Sequence, residues 1–139
     1  MDSRFDDLQK DILEDNLEIY SETAVEHFMN PRNIGFLENF NGSSSATGPC
    51  GDTINIWINV VDNVISEISF TTDGCGPSIA SGSMTTMLAK GKTIEEALKI
   101  GQWDVINALG GLPEDKEHCG LLAATALRKA IDDFSVSGE

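Results

Sequence analysis

The chain has 139 residues, 40% of them hydrophobic, and a formal net charge of −14. That length supports one hydrophobic core and excludes two ordinary domains. The negative charge argues against nucleic acid and anionic membranes as partners, because their phosphates would be repelled. No apolar run reaches the length of a membrane span, and the N-terminus has no apolar signal core, so we expect a cytoplasmic protein. An odd count of three cysteines also argues against a disulfide framework.

The first 19 residues are strongly acidic, with seven acidic and two basic side chains between residues 2 and 18. Phe5, Leu8, Ile12 and Leu13 recur at helical spacing, which predicts a short amphipathic helix over residues 4–16. A frayed acidic tail is an equal alternative, because short isolated helices are marginal in water. We therefore divide the chain into an acidic segment, 1–19, and a folded domain, 20–139.

The folded domain is predicted to begin with a helix and a β-hairpin. Ser21 starts the helix and Asn30-Pro31 ends it, while residues 41–51 form a loop or a short edge strand. Residues 53–61 and 64–72 alternate with a period of two and are joined by the tight turn Asp62-Asn63. The alternation assigns one face of each strand: Ile54, Ile56, Ile58 and Val60 on the first, and Val64, Ser66, Ile68 and Phe70 on the second.

After Gly76 the apolar period changes to that of helices. One helix should run to Lys90-Gly91, with Ile79, Met84, Met87 and Leu88 on its apolar side. A capping box at Thr93 opens the next helix, a third spans about 102–109, and the last runs from about Gly120 to Phe134. Strands followed by helices predict an α+β fold, a small antiparallel sheet with helices packed on one face.

Polar and thiol side chains gather at the ends of the predicted strands. Cys50 and Asp52 are two positions apart at the entrance to the first long strand, so they face the same way in extended chain. Cys75 follows the second strand of the hairpin. Because a hairpin returns on itself, we expect these three residues to lie at one end of the sheet.

His118 and Cys119 precede the last predicted helix, whose N-terminus would lower the pKa of a thiol. They complete a set of five candidate ligands, which suits zinc or iron–sulfur chemistry: Cys50, Asp52, Cys75, His118 and Cys119. Buried core thiols are the alternative, because free cysteine is among the most buried residue types. Glycines flank all three cysteines and would leave the thiols uncovered, which favours the site.

A thiol enzyme is a further alternative, with Cys75 or Cys119 as nucleophile and His118 as base. Adjacent residues at a helix start diverge by about 100°, so His118 should be poorly aimed at Cys119 and better aimed at Cys75. No third residue is evident that would orient the base.

The motifs YSETAVEHFMNPRNIG, GPCGDTINIWI, TTDGCGPSIASGS, GKTIEEAL and HCGLLAATALRKAI resemble the iron–sulfur cluster scaffold family, the IscU type, equivalent to the N-terminal domain of NifU. The resemblance spans about residues 20–134 and implies a three-stranded sheet with helices. It implies that Cys50, Cys75 and Cys119 are cluster ligands. Asp52 would favour cluster release, and His118 would be an auxiliary ligand.

The resemblance also implies a carrier and not an enzyme. A cysteine desulfurase would deliver sulfur, a transient 2Fe–2S cluster would form, and acceptor apoproteins would receive it. Zinc could occupy the same ligands, and a zinc-binding sulfur acceptor is the alternative function. The usual Leu-Pro-Pro-Val-Lys chaperone motif is here Leu112-Pro113-Glu114-Asp115-Lys116, which weakens the case for chaperone docking. Whether a homodimer holds the cluster is left open.

Overall fold

The computed structural model describes residues 20–49, 51–74 and 76–137. The predicted helix at 4–16 therefore lies outside the described residues. The elements follow in the order α1 (Glu22–Met29), β1 (Gly42–Thr47), β2 (Thr53–Val61), β3 (Val64–Thr72), α2 (Gly76–Ala89), α3 (Ile94–Ala97), α4 (Gln102–Ala108), a 3₁₀ turn (Glu114–Lys116) and α5 (Glu117–Ser137). Among the described residues, no helix is both long and apolar enough to span a membrane.

The sheet has three antiparallel strands in the order β1-β2-β3, which confirms the predicted architecture. Asp62 and Asn63 form the two-residue turn between β2 and β3, with φ of 52° and 67°. Both values lie in the left-handed region that a type I′ hairpin turn requires and that Asp and Asn tolerate. Residues 41–51 supply the edge strand β1, one of the two alternatives for that stretch.

A β-bulge changes the predicted alternation of β3. Asn59 pairs with Glu67, but Val60 pairs with Ile65, so Ser66 is the extra residue on β3. The bulge turns Ile65 into the core, where it is fully buried, and leaves Ser66 exposed. The assignment of Val64 and Ser66 to the same face as Ile68 and Phe70 was therefore wrong; Ile68 and Phe70 lie together in the core.

Helices α2 and α5 cover one face of the sheet. The inward side chains of β2, Ile54, Ile56, Ile58 and Val60, are buried against them as predicted. The hydrophobic effect of burying such side chains is about 1.5–3 kcal/mol each. A second apolar cluster joins α1, α2 and α4. On the other face of the sheet, Trp57 is partly exposed and its ring meets that of Phe36 edge to face at 5.2 Å.

Helix α2 is buried through small polar residues as well as through most of the predicted apolar side, since Met84 is buried and Ile79 and Leu88 pack against the apolar clusters. Met87 is 51% exposed, while Ser81 and Thr85 are fully buried. Gly82 lets the helix approach β3 closely, because an added Cβ would lie 2.5 Å from the Phe70 ring. The prediction for Met87 was wrong because the narrow space over the sheet selects small side chains at this helix, whatever their polarity.

The sheet is covered at both edges. Along β3, the Gly35 N–H donates to the Phe70 carbonyl at 2.8 Å, and the Ile65 N–H donates to the Lys92 carbonyl at 2.9 Å. Along β1, the Ser43 N–H donates to Asp133 Oδ2 at 2.9 Å. Helix α5 follows β1 so closely that the Ser44 hydroxyl donates to the Ala126 carbonyl at 2.6 Å.

The helix ends agree with the predicted signals except at α5. The Ser21 side chain accepts the N–H of Ala24 at α1, and Thr93 forms the capping box of α3. Helix α5 begins at Glu117 and not at about Gly120, so His118 and Cys119 lie in its first turn. The 3₁₀ turn directly before Glu117 continues into the helix, so Gly120 does not interrupt it.

Candidate functional site

Asp52 stands at the entrance of β2, after the loop that joins β1 to β2. The Gly48 N–H donates to the Asp52 carbonyl at 2.8 Å and the Gly51 N–H donates to the Gly48 carbonyl at 3.0 Å. Gly51 has φ of +88°, a conformation that favours glycine. Cys50, which belongs to this loop in sequence, lies outside the described residues.

The exit of β3 lies beside the entrance of β2, as the hairpin predicts. Thr72 pairs with Ile54, and the Thr53 N–H donates to Asp73 Oδ1 at 2.8 Å. A Cβ added to Gly74 would lie 2.9 Å from Asp52 Oδ2, so the chain just before Cys75 packs closely on that carboxylate. Cys75 itself lies outside the described residues.

Cys119 reaches the same place from α5. Its side chain is 1% exposed, and its Sγ lies 3.6 Å from the Ser78 hydroxyl of α2. The Ser78 hydroxyl in turn donates to Asp52 Oδ2 at 3.0 Å. The chain therefore brings a thiol and a carboxylate, 67 positions apart by their residue numbers, onto one buried hydroxyl.

His118 Nε2 lies 3.7 Å from Cys119 Sγ. The expectation that the imidazole would diverge from this thiol was wrong. An imidazole beside a thiol can serve as a metal ligand or as a proton acceptor. Within the described residues, however, no His, Cys, Asp or Glu side chains form a group of three that could hold a metal ion.

Of the five predicted ligands, His118 lies beside Cys119, and Asp52 is linked to Cys119 only through the Ser78 hydroxyl; the other two lie outside the described residues. Sequence reasoning missed Ser78. A serine in the first turn of a helix is ordinary, so the only signal was its place three residues after Cys75.

Gly120 does not uncover Cys119. A Cβ at Gly120 would lie 2.9 Å from Ile106 Cγ1 and 3.3 Å from the Gln102 carbonyl, so this glycine lets α5 pack against α4. The expectation that flanking glycine leaves this thiol exposed was wrong. The Cys119 side chain is 1% exposed, with its sulfur 3.6 Å from the Ser78 hydroxyl.

His27 lies in a separate buried polar cluster. Its Nδ1 is 2.7 Å from the Ser83 hydroxyl, which also accepts the Arg32 N–H at 2.9 Å. Burial lowers the pKa of His27, and the nearby Arg32 lowers it further, while Glu26 opposes both. Glu26 and Arg32 also form an ion pair.

Fold and site together define a class: a small α+β domain that presents thiol, carboxylate and imidazole groups at one end of a three-stranded sheet. Residues 19–138 match the NifU-like N terminal domain, and the chain belongs to that family. The family predicted from the sequence motifs is confirmed.

Named relatives agree with this membership. The chain is 53% identical over 117 residues to "Iron-sulfur cluster assembly scaffold protein IscU 1" of Archaeoglobus fulgidus, a match that covers 84% of this chain and 76% of the relative. It is 40% identical over 125 residues to the scaffold protein IscU of Escherichia coli, covering 86% and 97%. The crystal structure of the N-terminal NifU-like protein from Brucella abortus has the same fold, with TM-score 0.67, 19% identity, and coverage of 85% and 95%.

Proposed function

We propose that this chain, an iron–sulfur cluster assembly scaffold, builds a transient 2Fe–2S cluster on Cys50, Cys75 and Cys119, assisted by Asp52 and His118. The observation that carries the proposal is the contact of Cys119 and Asp52 with one hydroxyl, beside the residues that adjoin Cys50 and Cys75. Thiolates are the usual ligands of iron–sulfur clusters.

The donor set suits a cargo that must be released. Three thiolates hold iron firmly, whereas a carboxylate or an imidazole is a weaker and protonatable donor for this soft site. Asp52 is linked to Cys119 through the Ser78 hydroxyl, and His118 approaches Cys119 directly. We infer that one of these two groups fills the fourth coordination position of the iron and makes that position labile.

Sulfur would come from the persulfide of a cysteine desulfurase. A thiolate of this chain attacks the outer sulfur, a new S–S bond forms, and the desulfurase thiolate leaves. Two electrons from a reductant then convert each transferred sulfur to sulfide and regenerate the scaffold thiolate. The chain ends this sequence unchanged once the cluster has passed to an acceptor apoprotein, so it acts as a carrier and not as an enzyme.

Burial of Cys119 makes local opening part of the proposal. The thiol is 1% exposed, so the contact between α2 and the start of α5 must loosen before iron or a partner can reach it. Such openings draw on the least stable contacts of a fold.

The test is anaerobic reconstitution with iron, cysteine and a desulfurase. We expect a visible 2Fe–2S spectrum and transfer of the cluster to an apo-ferredoxin. Replacing Cys119 by Ser should remove most of the bound cluster. A purified chain that forms no cluster, with all three thiols reduced, would refute the proposal.

Zinc binding is the second candidate, because the same thiolates and imidazole suit tetrahedral Zn²⁺. Tight zinc that iron and sulfide cannot displace would support a zinc-dependent sulfur acceptor. The segment Leu112–Lys116 exposes Glu114 and Asp115, so we do not include the chaperone among the proposed partners. Whether two copies share a cluster is decided by the mass of the loaded species.

A further inference from the structure

The Ser78 hydroxyl lies within hydrogen-bond distance of two residues of the proposed cluster site, Asp52 and Cys119. Ser78 lies in the first turns of α2 and is fully buried. Its Oγ is 3.0 Å from Asp52 Oδ2 and 3.6 Å from Cys119 Sγ. A serine hydroxyl carries a single proton, so it donates fully to only one of these acceptors at a time.

In the cluster-free chain the carboxylate wins this competition. A hydrogen bond to an ionised oxygen is shorter and about twice as strong as one between neutral groups. The 3.0 Å contact therefore keeps one Asp52 oxygen engaged by α2. Once Cys119 binds iron as a thiolate, its sulfur becomes a charged acceptor of the same hydroxyl, and hydrogen bonds to such sulfurs tune a cluster's reduction potential.

We propose that Ser78 is a positioning residue of cluster assembly. Its hydroxyl donates a hydrogen bond to Asp52 in the cluster-free chain and to Cys119 once the cluster forms. Donation to Asp52 restrains the carboxylate before loading. Donation to Cys119 stabilises negative charge on the sulfur and leaves Asp52 free to act in release. This inference rests on the proposed function, because it requires Cys119 to be a cluster ligand.

The chain supplies a matched control for Ser78. Ser81 lies on the same helix and is also fully buried, yet among the described residues its hydroxyl has no hydrogen-bond partner. Ser78→Ala and Ser81→Ala therefore remove the same atom from the same helix, but only the first removes contacts with Asp52 and Cys119.

The experiment compares wild-type, Ser78→Ala and Ser81→Ala chains after anaerobic reconstitution. Loss of a donor to sulfur should lower the reduction potential of the Ser78→Ala cluster and move its charge-transfer bands to longer wavelength. The Ser81→Ala cluster should match wild type in both. Thermal unfolding of the cluster-free chains checks that all three are folded.

A double-mutant cycle tests the shared proton. In Asp52→Ala the Cys119 sulfur is the one acceptor that the described residues leave to the hydroxyl. If the hydroxyl donates to Cys119 in the loaded wild-type chain, removing Ser78 should shift the potential by the same amount in both backgrounds. A much larger shift in the Asp52→Ala background would show that the hydroxyl stays on Asp52 after loading, and would overturn the proposal. Fe–S stretching frequencies of the wild-type cluster should also change on exchange into D₂O, a measurement that needs no variant.

The failures are separable. If wild type and Ser81→Ala form no cluster, the proposed function itself fails. If wild type forms a cluster and Ser78→Ala gives the same potential and spectrum, the scaffold role stands and the inference about Ser78 is overturned. Absence of any D₂O effect on the wild-type Fe–S frequencies also contradicts it.

Discussion

Asp52 accepts two hydrogen bonds at the proposed site. Its side-chain Oδ2 accepts from the Ser78 hydroxyl, and its backbone carbonyl accepts from the Gly48 N–H in the β1–β2 loop. A carboxylate can lend a hard, protonatable donor to iron and so favour departure of the cluster. We expect Asp52→Ala to slow cluster loss by about tenfold, the effect of roughly 1.4 kcal/mol on a barrier. Decay of visible absorbance with an excess of apo-ferredoxin measures it.

Asp73 provides the control for that variant. It is also an acid at this end of the sheet, but its Oδ1 accepts the Thr53 N–H. Asp73→Asn keeps an acceptor in that position and should leave the cluster lifetime at the wild-type value. Faster or unchanged cluster decay in Asp52→Ala would contradict the release role.

His27 predicts an acid sensitivity of the fold. Its pKa is lowered in the folded chain from the usual 6.5 by burial and by Arg32, with Glu26 opposing. Below pH 6.5 the unfolded chain therefore binds a proton that the folded chain resists, and stability falls until the folded pKa is passed. The stabilising contribution is fully present only above the unfolded pKa.

The variant His27→Gln removes this titration. Its free energy of unfolding, measured by denaturant between pH 5 and 8 on the cluster-free chain, should fall less than that of wild type on the acid side. Above about pH 7.5, one unit over the ordinary imidazole pKa of about 6.5, the two curves should run parallel. If the two curves were parallel over the whole range, burial of His27 would not be the cause of the loss of stability at acid pH.

At the level of elements, the contact between α2 and β3 depends on Gly82. An added methyl would meet the Phe70 ring at 2.5 Å, and Phe70 is fully buried, so it has little room to move. We expect Gly82→Ala to destabilise the chain by about 1–3 kcal/mol, the usual cost of overpacking a core. The midpoint of chemical denaturation measures it.

The neighbouring Ser81 again serves as control. Because its buried hydroxyl has no partner among the described residues, Ser81→Ala removes an unmet polar group and should be neutral or slightly stabilising. If Gly82→Ala were neutral and Ser81→Ala destabilising, the packing described for α2 would be wrong.

The hairpin was predictable from the sequence because two local signals agree there. Alternating isoleucines fix the faces of β2, and Asp62-Asn63 suits a turn with positive φ. The bulge at Ser66 was not predictable, because nothing in the local pattern distinguishes Ile65 from Val64 as the inward residue. The start of α5 was missed because Gly120 was interpreted as a helix boundary. In the structure Gly120 lies inside the helix, where the close packing of α5 on α4 leaves no room for a side chain.

The convergence of strand ends at the site followed from topology alone, since a hairpin returns to where it began. The contact of His118 with Cys119 and the bridging role of Ser78 depend on side-chain rotamers and on the spacing between α2 and α5. Such distances of a few ångströms arise from packing of the whole core and leave no trace in a motif.

For the whole molecule, we propose residue 20 as the start of the folded domain. Tyr20 packs on the cluster formed by α1, α2 and α4, and the family match begins at residue 19. We expect a chain of residues 20–139 to unfold at the full-length midpoint and to assemble the cluster. Circular dichroism and reconstitution test this boundary.

A longer truncation tests the opposite limit. A chain that begins at residue 31 lacks α1 and with it the buried side chains of Ala24 and Val25. It should lose at least about 1.5–3 kcal/mol of stability, the value of burying one side chain of the size of Val25. If the two truncated chains were equally stable, the domain boundary proposed at residue 20 would be misplaced.

The covered edges of the sheet limit how this protein meets its own copies. Strands join between molecules only where a row of backbone donors and acceptors is free, and here Gly35, Lys92 and Asp133 each engage an outward group of an edge strand. Continuous intermolecular sheets, the route to ordered aggregates, are thereby disfavoured at both flanks. The end and the open face of the sheet are left for other contacts. Cluster transfer at the end of the sheet would therefore not compete with strand-to-strand association.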